Sequence, residues 1–313
     1  MKQENILFLE PIFKERIWGG QALRDIFGYE IPEGNIGECW GISAHQNGDC
    51  LVQNGQYEGK RLSELWKEAP HLFGNPTEEQ FPLLVKILDA SADLSVQVHP
   101  DDAYAHQFES GELGKTECWY VLDCADDAEI VIGHNATSKE EAATMIEAGN
   151  WDQFLRRIKI KPGDFFYIPA GTIHGICKNT LILEVQQSSD TTYRLYDYER
   201  LDDAGNKRDL HIEKSLDVMT VPHEDVIFDG KSFTSETACT RTYVDNAFFS
   251  VKKCEIKGDF TLNQEKDYAL VSIINGMGEV EGTKIGKGDH FIVPATCEEV
   301  RFTGEMEFMV ATP

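Results

Sequence analysis

The chain has 313 residues, 41% hydrophobic and 27% charged, an ordinary globular composition that can bury a core. It carries 29 Lys and Arg against 54 Asp and Glu, a formal charge of −25. So acidic a surface argues against nucleic-acid and membrane partners, and an anionic small molecule would need a local basic pocket inside the acidic shell. No stretch is apolar for long enough to span a bilayer, and the segment from Met1 to Ile6 lacks the regions of a signal peptide. The eight cysteines form no Cys-x-x-Cys pair and read as reduced thiols of a cytoplasmic protein.

Taken in order, residues 1–60 hold short runs and glycines, notably Trp18-Gly19-Gly20 and Gly37-Glu38-Cys39-Trp40-Gly41-Ile42-Ser43. These read either as turns between core strands or as the floor of a site. Residues 61–80 have helical spacing, with Leu62, Leu65 and Trp66 apolar and an end before Pro70. Phe81 to Leu88 is an apolar strand holding one lysine, Lys86, which either snorkels to water from a strand edge or lines a pocket. Leu94 to His99 is a second strand, and its period of two puts Gln97 and His99 on one face. After a loop, Gly114-Lys115-Thr116-Glu117 leads into a strand through Leu122. Pairing of these two strands would gather Gln97, His99 and Glu117.

Residues 126–157 interrupt the strands. Thr137-Ser138-Lys139-Glu140 fits a capping box, a helix follows through Ile146, and Trp151 to Arg157 suggests a second short helix. Lys161 to His174 reads as turn, strand, turn and histidine, and Leu181 to Gln187 as a strand. The Tyr-, Arg- and hydroxyl-rich run from Ser188 to Arg200 suits the lining of a cleft. Residues 201–235 read as a connection with a turn at 202–206, and residues 240–313 as short strands.

One repeat organises the whole. Lys159 to Ala170 resembles Lys284 to Ala295, each with Gly-Asp at a turn, an apolar strand and a closing Pro-Ala. The chain is therefore mainly β, two barrels of one design with a small helical excursion near 137–157. The expected division is a metal-binding unit over 1–235 and a degenerate, metal-free unit over 236–313. Only the first copy has a histidine, His174, after Pro-Ala. Two histidines and a glutamate at strand ends suit a catalytic zinc with an open position, or iron(II).

The segments Gly37 to Ser43, Leu94 to Asp102, Gly114 to Glu117, Pro169 to His174 and Tyr193-Arg194-Leu195-Tyr196-Asp197 resemble, in this order, the type I mannose-6-phosphate isomerases of the cupin superfamily, in their short bacterial form. The resemblance implies two jelly-roll cupin barrels and one Zn2+ per chain, held by His99, Glu117 and His174 with Gln97 as a further ligand. It implies an active-site arginine at Arg194 and active-site lysines at Lys86 and Lys115. Asn179 lies five residues after His174 where the looser cupin pattern has four. The implied reaction interconverts mannose 6-phosphate and fructose 6-phosphate through an enediol, with zinc as Lewis acid and with Arg194 and Lys115 in stabilising or proton-moving roles. Nearness to the metal would lower the pKa of Lys115. Lys86, Lys115, His45 and a metal-bound water all stay open as the base. The competing readings are an isomerase of another sugar phosphate, a cupin iron(II) oxygenase and a non-catalytic sugar-binding cupin. A sugar phosphate is the expected partner, and the chain is expected to be a monomer or homodimer.

Overall fold

The computed structural model describes residues 6–201 and 204–313, so the turn expected at 202–206 lies partly outside the described residues. Three sheets carry the fold. A six-stranded sheet runs in the order Phe165–Ile168, Glu117–Cys124, Thr180–Gln187, Leu83–Ala90, Ile36–Ile42 and Ile12–Gly20. A five-stranded sheet faces it, in the order Leu155–Lys159, Glu129–His134, His174–Ile176, Val96–Val98 and Tyr193–Tyr196. A nine-stranded sheet is built mainly from residues after 230, and Leu7–Glu10 and Leu51–Val52 complete its edge.

Side-chain alternation explains how the layers stack. In the six-stranded sheet, Val85, Cys118, Leu183 and Val185 point outward and pack with Val251, Leu270, Ile292 and Met309 of the nine-stranded sheet. Their neighbours Leu88, Trp119, Val121 and Ile182 point inward and meet Ile130, Ile132 and Ile176 of the five-stranded sheet. Leu83–Ala90 is buried at every position, which is why it reads as a continuous apolar run rather than an alternating one. The outer face of the five-stranded sheet, with Val96, Val98, Tyr193 and Leu195, is covered by the helices Lys139–Glu147, Trp151–Phe154 and Ile212–Val218. Among the described residues no helix is long and apolar enough to cross a membrane.

Several local expectations change: residues 126–157 hold the strand Glu129–His134, residues 201–235 hold the helix Ile212–Val218, and two strands after 240, Ser250–Asn263 and Glu299–Thr312, run 14 residues each. The strands Val96–Val98 and Glu117–Cys124 do not pair; they lie in opposite sheets and face each other across the interior. The strand pairing with Val96–Val98 is instead His174–Ile176, with His174 opposite Gln97. The helix cap is Ser138, not Thr137: its hydroxyl accepts from the Glu141 amide at 3.2 Å, while Glu141 reaches back to the amide and hydroxyl of Thr137. The second helix stops at Phe154, because residues from Leu155 onward pair with Glu129–His134. The repeat, in contrast, has a physical counterpart. Gly163 and Gly288 both adopt positive φ, 91° and 96°. In each turn the aspartate that follows accepts from a backbone amide three residues back, Lys161 at 3.0 Å and Gly286 at 2.7 Å.

Candidate active site

Two rows of side chains face each other inside the first unit, and strand register writes both. Across the five-stranded sheet, His174 pairs with Gln97 and Gln97 with Arg194. Across the six-stranded sheet, Trp119 pairs with Glu184, Glu184 with Lys86, and Lys86 with Trp40. Neighbouring positions in these strands are apolar; His174, Glu184 and Lys86 are buried, Gln97 and Arg194 partly so, and the buried ones must find partners inside the row or across the gap.

At one end of the gap lie His99, Glu117 and His174, at most 1% exposed, with candidate ligand atoms all within 4.8 Å. The Nε2 atoms of the two histidines are 3.1 Å apart. Each lies 3.4 Å from a different oxygen of Glu117. His174 Nδ1 donates to the Thr172 carbonyl at 2.8 Å, which turns the Nε2 lone pair toward the cluster. Both Glu117 oxygens are buried without a hydrogen-bond partner. The Gln97 amide stands 3.3 Å from His174 Nε2, so its oxygen, on rotation of the amide, faces the same point.

The electrostatics agree with a cation at this point. Burial, reinforced by Lys115, pushes the His99 pKa down to about 3, and burial lowers that of His174 as well. Both rings are therefore neutral, the form that binds metals. Burial alone would raise Glu117, but Lys115 and the two imidazoles win and hold its carboxyl well below the usual range. Neutral imidazole lone pairs and an ionised carboxylate with orphaned oxygens fit a divalent metal ion.

Beside the cluster opens a cavity of about 440 Å³. Its wall includes Gln97, Lys86, Lys115 and Arg194, which the sequence singled out. Lys86 sits on a central strand, not an edge: it is 4% exposed, 3.7 Å from Glu184 and 4.8 Å from the centre of the Trp40 ring. Lys115 lies 3.3 Å from Glu117. Burial pulls the Lys115 pKa down, yet Glu117, Glu184 and Asp190 outweigh it and hold it above the ordinary value. His45 is not in the wall; it stacks edge-on against Trp40. The Ser188–Arg200 run does line the cleft, through Asp190, Thr192 and Arg194. A larger hollow of about 670 Å³ lies on the nine-stranded sheet around Met277 and Glu305, away from the His–Glu–His cluster.

Several wall residues escaped the sequence reading: Arg16, Ser95, Trp119, Glu184 and Arg208. Glu184 had a readable signal. Leu181 to Gln187 is an apolar strand with one carboxylate, as Phe81 to Leu88 is an apolar strand with one amine, and the two charges are register partners. The Trp119 indole donates to Glu184 at 2.8 Å. Burial and the charge of Glu117 push the Glu184 carboxyl up to about 7. Arg208 had no such signal, since it arrives from an irregular segment. Asp197 binds it twice, at 2.7 and 2.5 Å, and also binds Arg200 at 2.6 Å. Arg194 is tied to the same segment by its bond to the Asp209 carbonyl at 2.9 Å, while its Nε has no partner. Burial and the neighbouring charge of Arg208 lower the Arg194 pKa.

Comparisons with known proteins agree with this geometry. Residues 6–131 match the phosphomannose isomerase type I catalytic domain, and residues 239–313 match the mannose-6-phosphate isomerase cupin domain. A probable mannose-6-phosphate isomerase of Bacillus subtilis, GmuF, is 52% identical over 311 residues, covering 98% of this chain and 99% of the relative. The mannose-6-phosphate isomerase of Streptococcus mutans is 49% identical, with 97% of both chains covered. The crystal structure of the mannose 6-phosphate isomerase from Bacillus subtilis superposes with a TM-score of 0.97 at 49% identity, covering 99% of this chain and all of that one. The chain has the cupin fold and belongs to the type I phosphomannose isomerase family.

Proposed function

We propose that the chain interconverts mannose 6-phosphate and fructose 6-phosphate through an enediol, as a metal-dependent enzyme of the cytoplasm with one Zn2+ per chain. The observation that carries the metal is the convergence of His99, Glu117 and His174, with Gln97 as a fourth donor. When bound there, the ion supplies Lewis-acid polarisation of sugar oxygens. The division into a metal-binding unit over 1–235 and a metal-free cupin unit over 236–313 belongs to the same proposal.

The remaining roles follow from the two rows. The reaction moves a proton between C1 and C2 of the sugar, so it needs a group that ionises near neutrality beside the metal. Glu184 is that group: its carboxyl is pushed up to about 7, and a bound divalent cation would lower it toward more acidic pH. Lys86, 3.7 Å away, holds the carboxylate form and is placed to donate to a sugar oxygen. Lys115 stays cationic beside Glu117 and stabilises negative charge on the reacting oxygens.

The phosphate belongs at the opposite end of the cavity. Arg194 and Arg208 both line it, and Arg208 shares the Asp197 carboxylate with Arg200, so guanidinium charge there exceeds carboxylate charge. A dianion offsets this excess charge, accepting from the unpartnered Arg194 Nε–H and from the Arg208 N–H groups that Asp197 leaves free. That also separates this reading from an oxygenase acting on an uncharged substrate. The test is turnover of mannose 6-phosphate by purified protein with and without metal, with mannose as control. Conversion of mannose 6-phosphate alone supports the reading, and oxygen-dependent turnover with iron(II) would replace it.

A further inference from the structure

The strand Ile36–Ile42 carries one extra residue opposite Leu83–Ala90: Trp40 pairs with Lys86 and Ile42 with Val85, which leaves Gly41 at the bulge. On Gly41 lies the ring of His290, from the nine-stranded sheet. A Cβ at Gly41 would fall 2.4–2.5 Å from three atoms of that ring, so only glycine admits it. His290 is 2% exposed and fully bonded. The Tyr29 hydroxyl donates to the Gly288 carbonyl at 2.8 Å, so at 2.9 Å it accepts from His290 Nε2–H. His290 Nδ1 then accepts from the Ser272 hydroxyl at 2.8 Å. One neutral tautomer satisfies every contact, and burial, which pushes the pKa down to about 4, keeps the ring neutral. The ring thus joins two sheets: Tyr29 comes from the segment before Ile36–Ile42, and Ser272 and Gly288 from the other unit.

The residue beside Gly41 is part of the pocket's support. The Trp40 indole donates to Glu38 at 2.6 Å, and its ring lies under the Lys86 ammonium. We propose that His290 is a positioning residue for the pocket: by packing on Gly41 it fixes Trp40, and through Trp40 it fixes the Lys86 ammonium. The metal-free unit therefore acts on the site without touching the substrate. The choice of mannose 6-phosphate as probe rests on the isomerase reading.

The test pairs kinetics with the Trp40 indole N–H resonance, assigned by a Trp40→Phe variant, in the metal-loaded enzyme. Gly41→Ala is expected to move that resonance and to lower kcat/KM for mannose 6-phosphate about tenfold or more, mainly through KM. Gly41→Ala combined with His290→Ala relieves the collision but also lacks the ring, so it is expected to match His290→Ala alone in both readouts. If Gly41→Ala does not fold, His290→Ala is compared with His290→Gln. The alanine should move the resonance and raise KM, while the glutamine, with one donor and one acceptor, should keep both near wild type. A purely structural role would lower Tm and leave the resonance and KM in place. The proposal is overturned if both stay at wild-type values in Gly41→Ala, in His290→Ala where Gly41→Ala does not fold, or in the double variant, which has no ring at position 290. Should the wild-type enzyme not turn over mannose 6-phosphate, the resonance alone decides the proposal.

Discussion

In the proposed mechanism Glu184 is the general base, and it is also the clearest omission of the sequence reading. Its register partner Lys86 was singled out because a lone amine in an apolar strand needs an explanation, and the same argument applies to a lone carboxylate. Glu184→Gln should lower kcat about a hundredfold to ten-thousandfold with little change in KM, as loss of a general base does. The sign of the pH effect follows from the raised pKa: below it the carboxyl takes up a proton and the base is lost, so kcat/KM falls on acidification. Steady-state profiles of the wild type and the glutamine variant check this, and an unchanged acid limb in the variant would assign that limb elsewhere. At the far end of the cavity, Arg208→Ala should raise KM about tenfold or more with kcat largely kept, because the phosphate is gripped alike in ground and transition states. His99, Glu117 and His174 were legible as candidate metal donors because three such residues at strand ends form a pattern that a core histidine alone does not. Arg208 was not, since nothing in an irregular segment fixes where an arginine will point.

At the scale of strands, period-two alternation told which residues share a face but not which strand lies beside which. Gln97 and His99 were placed on one face from that rule. The assumed pairing with the strand of Glu117 failed because partner choice depends on the whole jelly-roll path, and the sequence between two strands does not encode it. The outcome is a candidate metal site assembled across two sheets, His174 and the strand-end His99 from one and Glu117 from the other. The His290 contact shows the same limit, since no local pattern links residue 290 to residue 41. It also makes a stability prediction. The unfolded chain protonates a histidine below about 6.5, while the folded ring stays neutral down to about 4, so acidification through this window favours unfolding by up to about 3 kcal/mol. His290→Gln should therefore show a smaller fall in Tm between pH 7 and pH 5 than the wild type, by calorimetry; an equal fall would place the acid sensitivity in other groups.

Over the whole molecule, a chain of formal charge −25 encloses a cavity whose wall gathers Arg16, Lys86, Lys115, Arg194 and Arg208 against Glu38, Glu184 and Asp190. Composition alone foresaw this contrast, a basic pocket inside an acidic shell, as the condition for an anionic substrate. The repeat pointed to two segments of one design, and the matching Gly-Asp turns give that repeat its physical basis. The measurement that tests the central claim most directly is a coupled assay of fructose 6-phosphate formation from mannose 6-phosphate, run before chelation, after it, and after zinc is added back, with metal content followed in parallel. The account predicts activity lost with the metal and restored with zinc, and neither activity nor stoichiometric metal in His99→Ala. Full activity in demonstrably metal-free protein, or no turnover by folded protein holding one zinc per chain, would contradict it.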